Sequence, residues 1–126
     1  MGNFNNKSLH KLKAIESFKT GTYALKNGYM YPAYTMLKES VRGALSYINE
    51  DLQGKTYETK TNLKSLLEAT PKELLMKYDI DRLEFFNEKD REGLLSINSM
   101  DVEELKEIRK MIKDLISTYI PMREEL

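Results

Sequence analysis

Apolar residues in this chain recur at intervals of three and four, the spacing that lines one face of an α-helix. No strong two-residue alternation of the strand type accompanies them. The clearest run is Met30, Tyr34, Leu37, Val41, Leu45, Ile48 and Leu52, with Pro32 suited to a first turn and Gly54 to the stop. Before it, a helix from a Ser8 cap to about Lys26 carries Leu12, Ile15, Phe18, Thr22 and Leu25 as its core stripe, and Asn27-Gly28 supplies a left-handed stop. Gly21 lies inside that segment at a cost of about 1 kcal/mol relative to alanine, which points to a close helix crossing or a local irregularity. Ala33 and Ala44 permit close approach of neighbours, and the short connection makes the two helices an antiparallel hairpin.

Beyond a polar loop at 55–60, Thr61 is expected to cap a short helix bearing Leu63, Leu66 and Leu67. Thr70-Pro71-Lys72-Glu73 has the pattern of a capping box opening a helix at Pro71, with Leu74, Leu75 and Tyr78 on its apolar side. A further start at Asp79 or Asp81 leads to Leu83, Phe85, Phe86, Leu94 and Leu95, weakened by Gly93. Asp101 and Glu104 form another capping box, and Val102, Leu105, Ile108, Ile112, Leu115 and Tyr119 run as one stripe to Pro121. The expected fold is all-α, an antiparallel up-and-down bundle of four to five helices in one domain over residues 1–126, with residues 1–7 frayed.

Composition supports this class. Hydrophobic residues are 40% and charged residues 32% of 126, with three prolines and six glycines, a balance suited to exposed helices around an apolar centre. The absence of cysteine excludes disulfides, thiolate metal sites and a cysteine nucleophile. A polar stretch from Met1 to Lys13 and short apolar runs elsewhere lead us to expect a cytoplasmic protein without a membrane span. Net charge is zero, yet residues 1–64 carry +5 and residues 65–126 carry −5. That asymmetry fits opposed faces of one bundle, contact between copies, or a basic surface for an acidic partner.

Candidate chemistry is sparse. His10 is the single histidine, which excludes a metal site needing two imidazoles, and its place among Lys11 and Lys13 near the start reads as an exposed surface residue. No Glu-x-x-His pair exists for a di-metal bundle site, and no glycine-rich phosphate loop or serine elbow appears, so no cofactor is expected. Tyr23, Tyr29, Tyr31 and Tyr34 gather at the first turnaround beside Lys19, Lys26 and Lys38. Such rings can stack bases while lysines neutralise phosphates, but the simpler reading is the cap of a core. Glu39, Arg42, Ser46 and Glu50 read as a solvent-facing row with a local ion pair.

The segment from Leu25 to Leu45, LKNGYMYPAYTMLKESVRGAL, resembles the opening hairpin of HEPN domains: a turn with Gly and Tyr, then a helix of alanines and aromatics. Tetratricopeptide-type units place alanines and aromatics in a similar way. Ribonucleases of the HEPN family carry an Arg followed by four to six residues and then His. Here Arg42 is followed at that spacing by Tyr47, and no histidine lies beyond position 10. The resemblance therefore implies a non-catalytic member, a binding or assembly module that holds a protein partner or dimerises. Arg42, Glu39, Tyr47, Tyr31, Tyr34 and Lys38 are the candidate binding residues. The alternatives are an RNA-binding or RNA-cleaving domain in which Arg42 contacts phosphate, and a small-molecule sensor with a pocket lined by Met36, Phe85 and Phe86.

Overall fold

The two longest apolar runs fold into the two longest helices, α1 (Asn6–Lys26) and α2 (Met30–Gln53). The computed structural model describes residues 6–58, 61–78, 86, 102–122 and 126. Between the helices, Gly28 adopts φ 78°. The Tyr29 amide donates to the Ala24 carbonyl at 2.8 Å and the Gly28 amide to the Leu25 carbonyl at 3.2 Å, the paired bonds of a Schellman stop. The helices run antiparallel: Lys7 meets Asp51, Ala14 meets Ser40, and Gly21 meets Leu37.

Their approach is close enough to involve backbone. A Cβ added at Gly43 would stand 2.8 Å from both the Ala14 nitrogen and the His10 carbonyl oxygen, so only glycine fits there without moving α1. At Gly21 a Cβ would meet the Leu37 side chain and backbone at 3.0–3.2 Å, which makes that glycine a close crossing and not an irregularity. The buried positions of α1 are accordingly His10, Ala14, Phe18, Gly21, Ala24 and Leu25. Leu12 is 53% exposed, against expectation. It stands two residues from both His10 and Ala14, which on a helix is the opposite side.

α2 is the central element, buried at every position from Gly43 to Asn49. Full burial of Leu37, Leu45 and Ile48 contributes about 1.5–3 kcal/mol each. α3 (Leu63–Ala69) and α4 (Lys72–Lys77) follow, and α5 (Val102–Tyr119) packs on both helices of the hairpin through Leu105, Ile108, Ile112, Leu115 and Ile116. Arg109 of α5 donates to the Thr22 hydroxyl at 2.9 Å and lays its guanidinium 5.0 Å from the Phe18 ring centre, joining α5 to α1. The fold is an all-α helical bundle, with no strand among the described residues.

Several local expectations change. Ser8 lies within α1 and does not cap it, and residues 6 and 7 are helical where fraying was expected. Leu52 and Val102, at the ends of their stripes, are exposed. Asn62, not Thr61, caps α3 by accepting the Ser65 amide at 2.8 Å, while Thr61 donates to the Glu58 carbonyl. The expected box at Thr70 does not form: Pro71 is the N-cap of α4 with no side-chain bond, because Thr70 is spent elsewhere. Its hydroxyl donates to the Leu66 carbonyl at 2.6 Å and accepts from Asn49 at 3.0 Å, tying α3 to α2. The expected helix start at Asp79 or Asp81, the residues Leu83, Phe85, Gly93, Leu94 and Leu95, and the Asp101 cap lie outside the described residues.

Gly43→Ala is expected to destabilise the protein by about 1–3 kcal/mol or more, since the added methyl meets backbone. Leu37→Ala and Leu115→Ala are each expected to cost about 2–5 kcal/mol. Urea unfolding followed by circular dichroism measures all three, and a Gly43→Ala protein as stable as the parent would refute the close crossing.

Candidate functional site

Four polar residues of α2 are withdrawn from solvent. Glu39, Arg42 and Glu50 turn toward α1 and the loop after α2, and Lys7, His10 and Lys13 recur every third residue on α1. That recurrence on α1 opposite carboxylates on α2 is the signal that reading each helix alone misses. Ser46 is buried, and Arg42, Glu39 and Glu50 are largely so. The expected solvent-facing row is therefore an inter-helix seam.

His10 is its innermost member, 1% exposed where an exposed residue was expected. Its Nε2 stands 2.8 Å from the Glu50 Oε2 and 2.8 Å from the Tyr57 carbonyl oxygen. Both are acceptors, so this nitrogen carries the hydrogen. The Tyr57 amide completes the triangle by donating to the same Glu50 oxygen at 3.1 Å. Burial of the ring follows from the close crossing, which brings the His10 backbone against Gly43 and turns the side chain along α2.

About three turns back along α2, Glu39 receives Lys13 Nζ at 3.0 Å and Arg42 Nη1 on its other oxygen, while Arg42 Nε donates to the Thr61 carbonyl at 3.0 Å. Burial alone would raise the Glu39 pKa. The Lys13 ammonium and the Arg42 guanidinium outweigh it and hold the carboxyl below its ordinary 4.5. At the outer end Lys7 pairs with Asp51 at 2.6 Å and lies 4.9 Å from the Tyr47 ring centre.

Of the candidate binding residues, the structure brings Arg42 and Glu39 into direct contact. Tyr47 is buried under Lys7, away from Arg42's partners. Tyr34 is core: its hydroxyl donates to the Phe86 carbonyl at 2.7 Å and its ring meets that of Phe86 at 5.5 Å. Lys38 is half-buried on α2. Tyr31 is 51% exposed, with Tyr29 at 56% and Tyr23 at 65%, so three of the four clustered rings lie on the surface and only Tyr34 joins the core. Phe86 is buried, Met36 is half-buried, and Phe85, the third residue of the expected pocket, lies outside the described residues.

The seam is built to hold chain segments. His10, Glu50 and Arg42 together grip the loop at Tyr57 and Thr61, and every charged group in it meets a charge or backbone atom of this chain. No group of three or more metal-binding side chains occurs among the described residues. None of their helices is long and apolar enough to cross a membrane. Compared with protein-family models, curated proteins and solved structures, the chain matches none.

A separate polar irregularity lies where α4 meets α5. The buried Tyr78 hydroxyl makes no hydrogen bond among the described residues. Burial pushes its pKa up to about 12. The ring is held edge-on to Tyr119 at 6.3 Å, and the Lys77 ammonium lies over both rings at 5.6 and 5.5 Å.

Three outcomes follow. His10→Ala strands a buried carboxylate and carbonyl and is expected to cost about 1–3 kcal/mol, with faster amide exchange at 55–58 than elsewhere. Unchanged exchange there would refute the grip. Because the Glu39 pKa is depressed on folding, its contribution is present above pH 4.5 and is lost as pH falls through the folded value. Glu39→Gln should therefore flatten the acid limb of a stability–pH profile, which denaturant titrations at several pH values test. Tyr78→Phe removes an unpartnered hydroxyl and should leave stability unchanged or raise it by up to about 1 kcal/mol in thermal unfolding.

Proposed function

We propose that this chain is a cytoplasmic, non-enzymatic helical binding module that associates through its outer surface with a protein partner, a second copy of itself included. The observation that carries this reading is an inversion of the usual distribution. Polar groups that suggest chemistry, His10, Glu39, Arg42 and Glu50, are used to hold the chain together, while large apolar side chains stand in water. Leu9, Leu12 and Tyr23 lie on α1, Tyr29 in the turn after it and Tyr31 in the first turn of α2. Aromatic and aliphatic side chains presented together on a rigid element suit protein association. The likeness to the HEPN hairpin without its Arg–His pair agrees with this reading, since Arg42 alone lacks the general base that attack by a ribose hydroxyl requires.

One observation favours the RNA-binding alternative. Tyr23, Tyr29 and Tyr31 are exposed near Lys26, and no Asp or Glu occurs between Ser17 and Lys38. Stacking on such rings would bind single strands with steep salt dependence. Arg42 is less suited to a phosphate, being engaged by Glu39 and the Thr61 carbonyl.

Incubation with RNA, beside anisotropy titration of a labelled single strand at low and high salt, separates these readings. The expected result is intact RNA and no tight complex. Cleavage lost on Arg42→Ala, or tight binding lost with salt, would replace the binding-module reading with the RNA one.

A further inference from the structure

Within that reading, on which this inference rests, the outer face of α1 identifies its own partner. Leu9, Leu12, Glu16, Lys19, Tyr23 and Lys26 are exposed and follow one another at intervals of three, four, three, four and three. This is the alternation of a two-helix seam, and it lies opposite the small-residue face that packs on α2.

We propose that α1 pairs with α1 of a second copy, antiparallel, about a twofold axis passing between Ser17 and Phe18. Laid antiparallel about that point, the face is complementary to itself. Leu12 falls against Tyr23 of the other copy, Glu16 against Lys19, and Leu9 against the aliphatic stem of Lys26, each contact occurring twice. Orientation is set by charge. A parallel pairing would place Glu16 on Glu16 and Lys19 on Lys19, whereas the antiparallel one joins opposite signs at its centre. Lys19 keeps a contact of its own within the chain, so this complementarity is one of facing charges and not of an unmet partner. A face about 30 Å long, from 21 residues at about 1.5 Å rise, lies at the small end of specific interfaces, so the expected dissociation constant is on the order of micromolar.

The test uses the whole chain in sedimentation and in cross-linking, with circular dichroism confirming that these exposed substitutions leave the fold intact. Glu16→Lys and Lys19→Glu should each weaken self-association by at least about tenfold, by setting like charges face to face. The double variant should recover it, and an equimolar mixture of the two single variants should form a mixed dimer. Because the chain has no cysteine, Leu12→Cys and Tyr23→Cys give a direct reading of orientation. Oxidation should cross-link a mixture of the two and neither alone, since like positions in the antiparallel pair lie roughly 16 Å apart along the axis, too far for a disulfide. A dimer indifferent to both charge variants, or like-with-like cross-links, overturns this surface while leaving a binding module. A monomer throughout the micromolar range overturns the pairing, and RNA cleavage or tight RNA binding overturns the reading beneath it.

Discussion

Gly43 lets two helix backbones touch, and most of the described structure depends on that contact. The missing side chain brings α1 down until the His10 carbonyl oxygen and the Ala14 nitrogen stand 2.8 Å from where a Cβ would be. One turn back, the buried Ser40 hydroxyl donates to the Ala14 carbonyl at 2.7 Å, fixing the register of the two helices. A crossing this tight leaves no room for large side chains, which is why Ala14, Gly21 and Ala24 occupy α1's inner face beside Phe18. The bulk of the core is then supplied by α2 and α5, and α2 is buried on all sides from Gly43 to Asn49.

The same closeness explains the polar seam. Side chains flanking a tight crossing reach the neighbouring helix within hydrogen-bond distance, so Lys7, His10 and Lys13 find Asp51, Glu50 and Glu39 as α1 runs antiparallel to α2. Burying His10 and Glu50 costs solvation, which is offset because each polar atom of the triangle meets another, and the return is a fixed loop at Tyr57. A buried histidine beside a carboxylate also looks like an acid–base pair. Here the imidazole hydrogen is shared between the chain's own carboxylate and carbonyl, and the ring is closed off from solvent, so the geometry suits a strut.

What the sequence made legible was whatever depends on one helix at a time. The stripes of α2 and α5, the stops at Gly28 and Gly54 and the all-α class follow from local periodicity and backbone freedom, and they appear in the structure. What failed depends on which side of a helix finds a partner. On α1 the stripe of Leu12, Ile15, Phe18, Thr22 and Leu25 holds in part, with Phe18 and Leu25 buried and Ile15 packed against the core, but Leu12 is exposed and the crossing uses His10, Ala14 and Gly21, whose small and polar members give little hydrophobic signal. Thr70 misleads for a related reason: its hydroxyl fits a cap by sequence, but Asn49 on α2 and the Leu66 carbonyl are nearer claims on it. Of the candidate site, the Arg42–Glu39 contact was visible as an i,i+3 pair, while Lys13 and Thr61, the partners that reveal its structural task, come from other segments.

These displacements share a consequence for the surface. With much of the inner arc of α1 taken by small residues and a histidine, Leu9 and Leu12 are turned outward, and with them Tyr23. A helix that meets its own hairpin partner through glycine and alanine keeps its larger apolar side chains for something else. Selection for the intramolecular crossing would be equally satisfied by lysine or glutamate at positions 9 and 12. Leucine there, in step with Glu16, Lys19 and Tyr23, contributes nothing to the described core and exposes apolar surface to water. The crossing and the outer face are thus two sides of one helix under different constraints: steric on the side of Gly43, and on the other the chemistry of whatever covers Leu12.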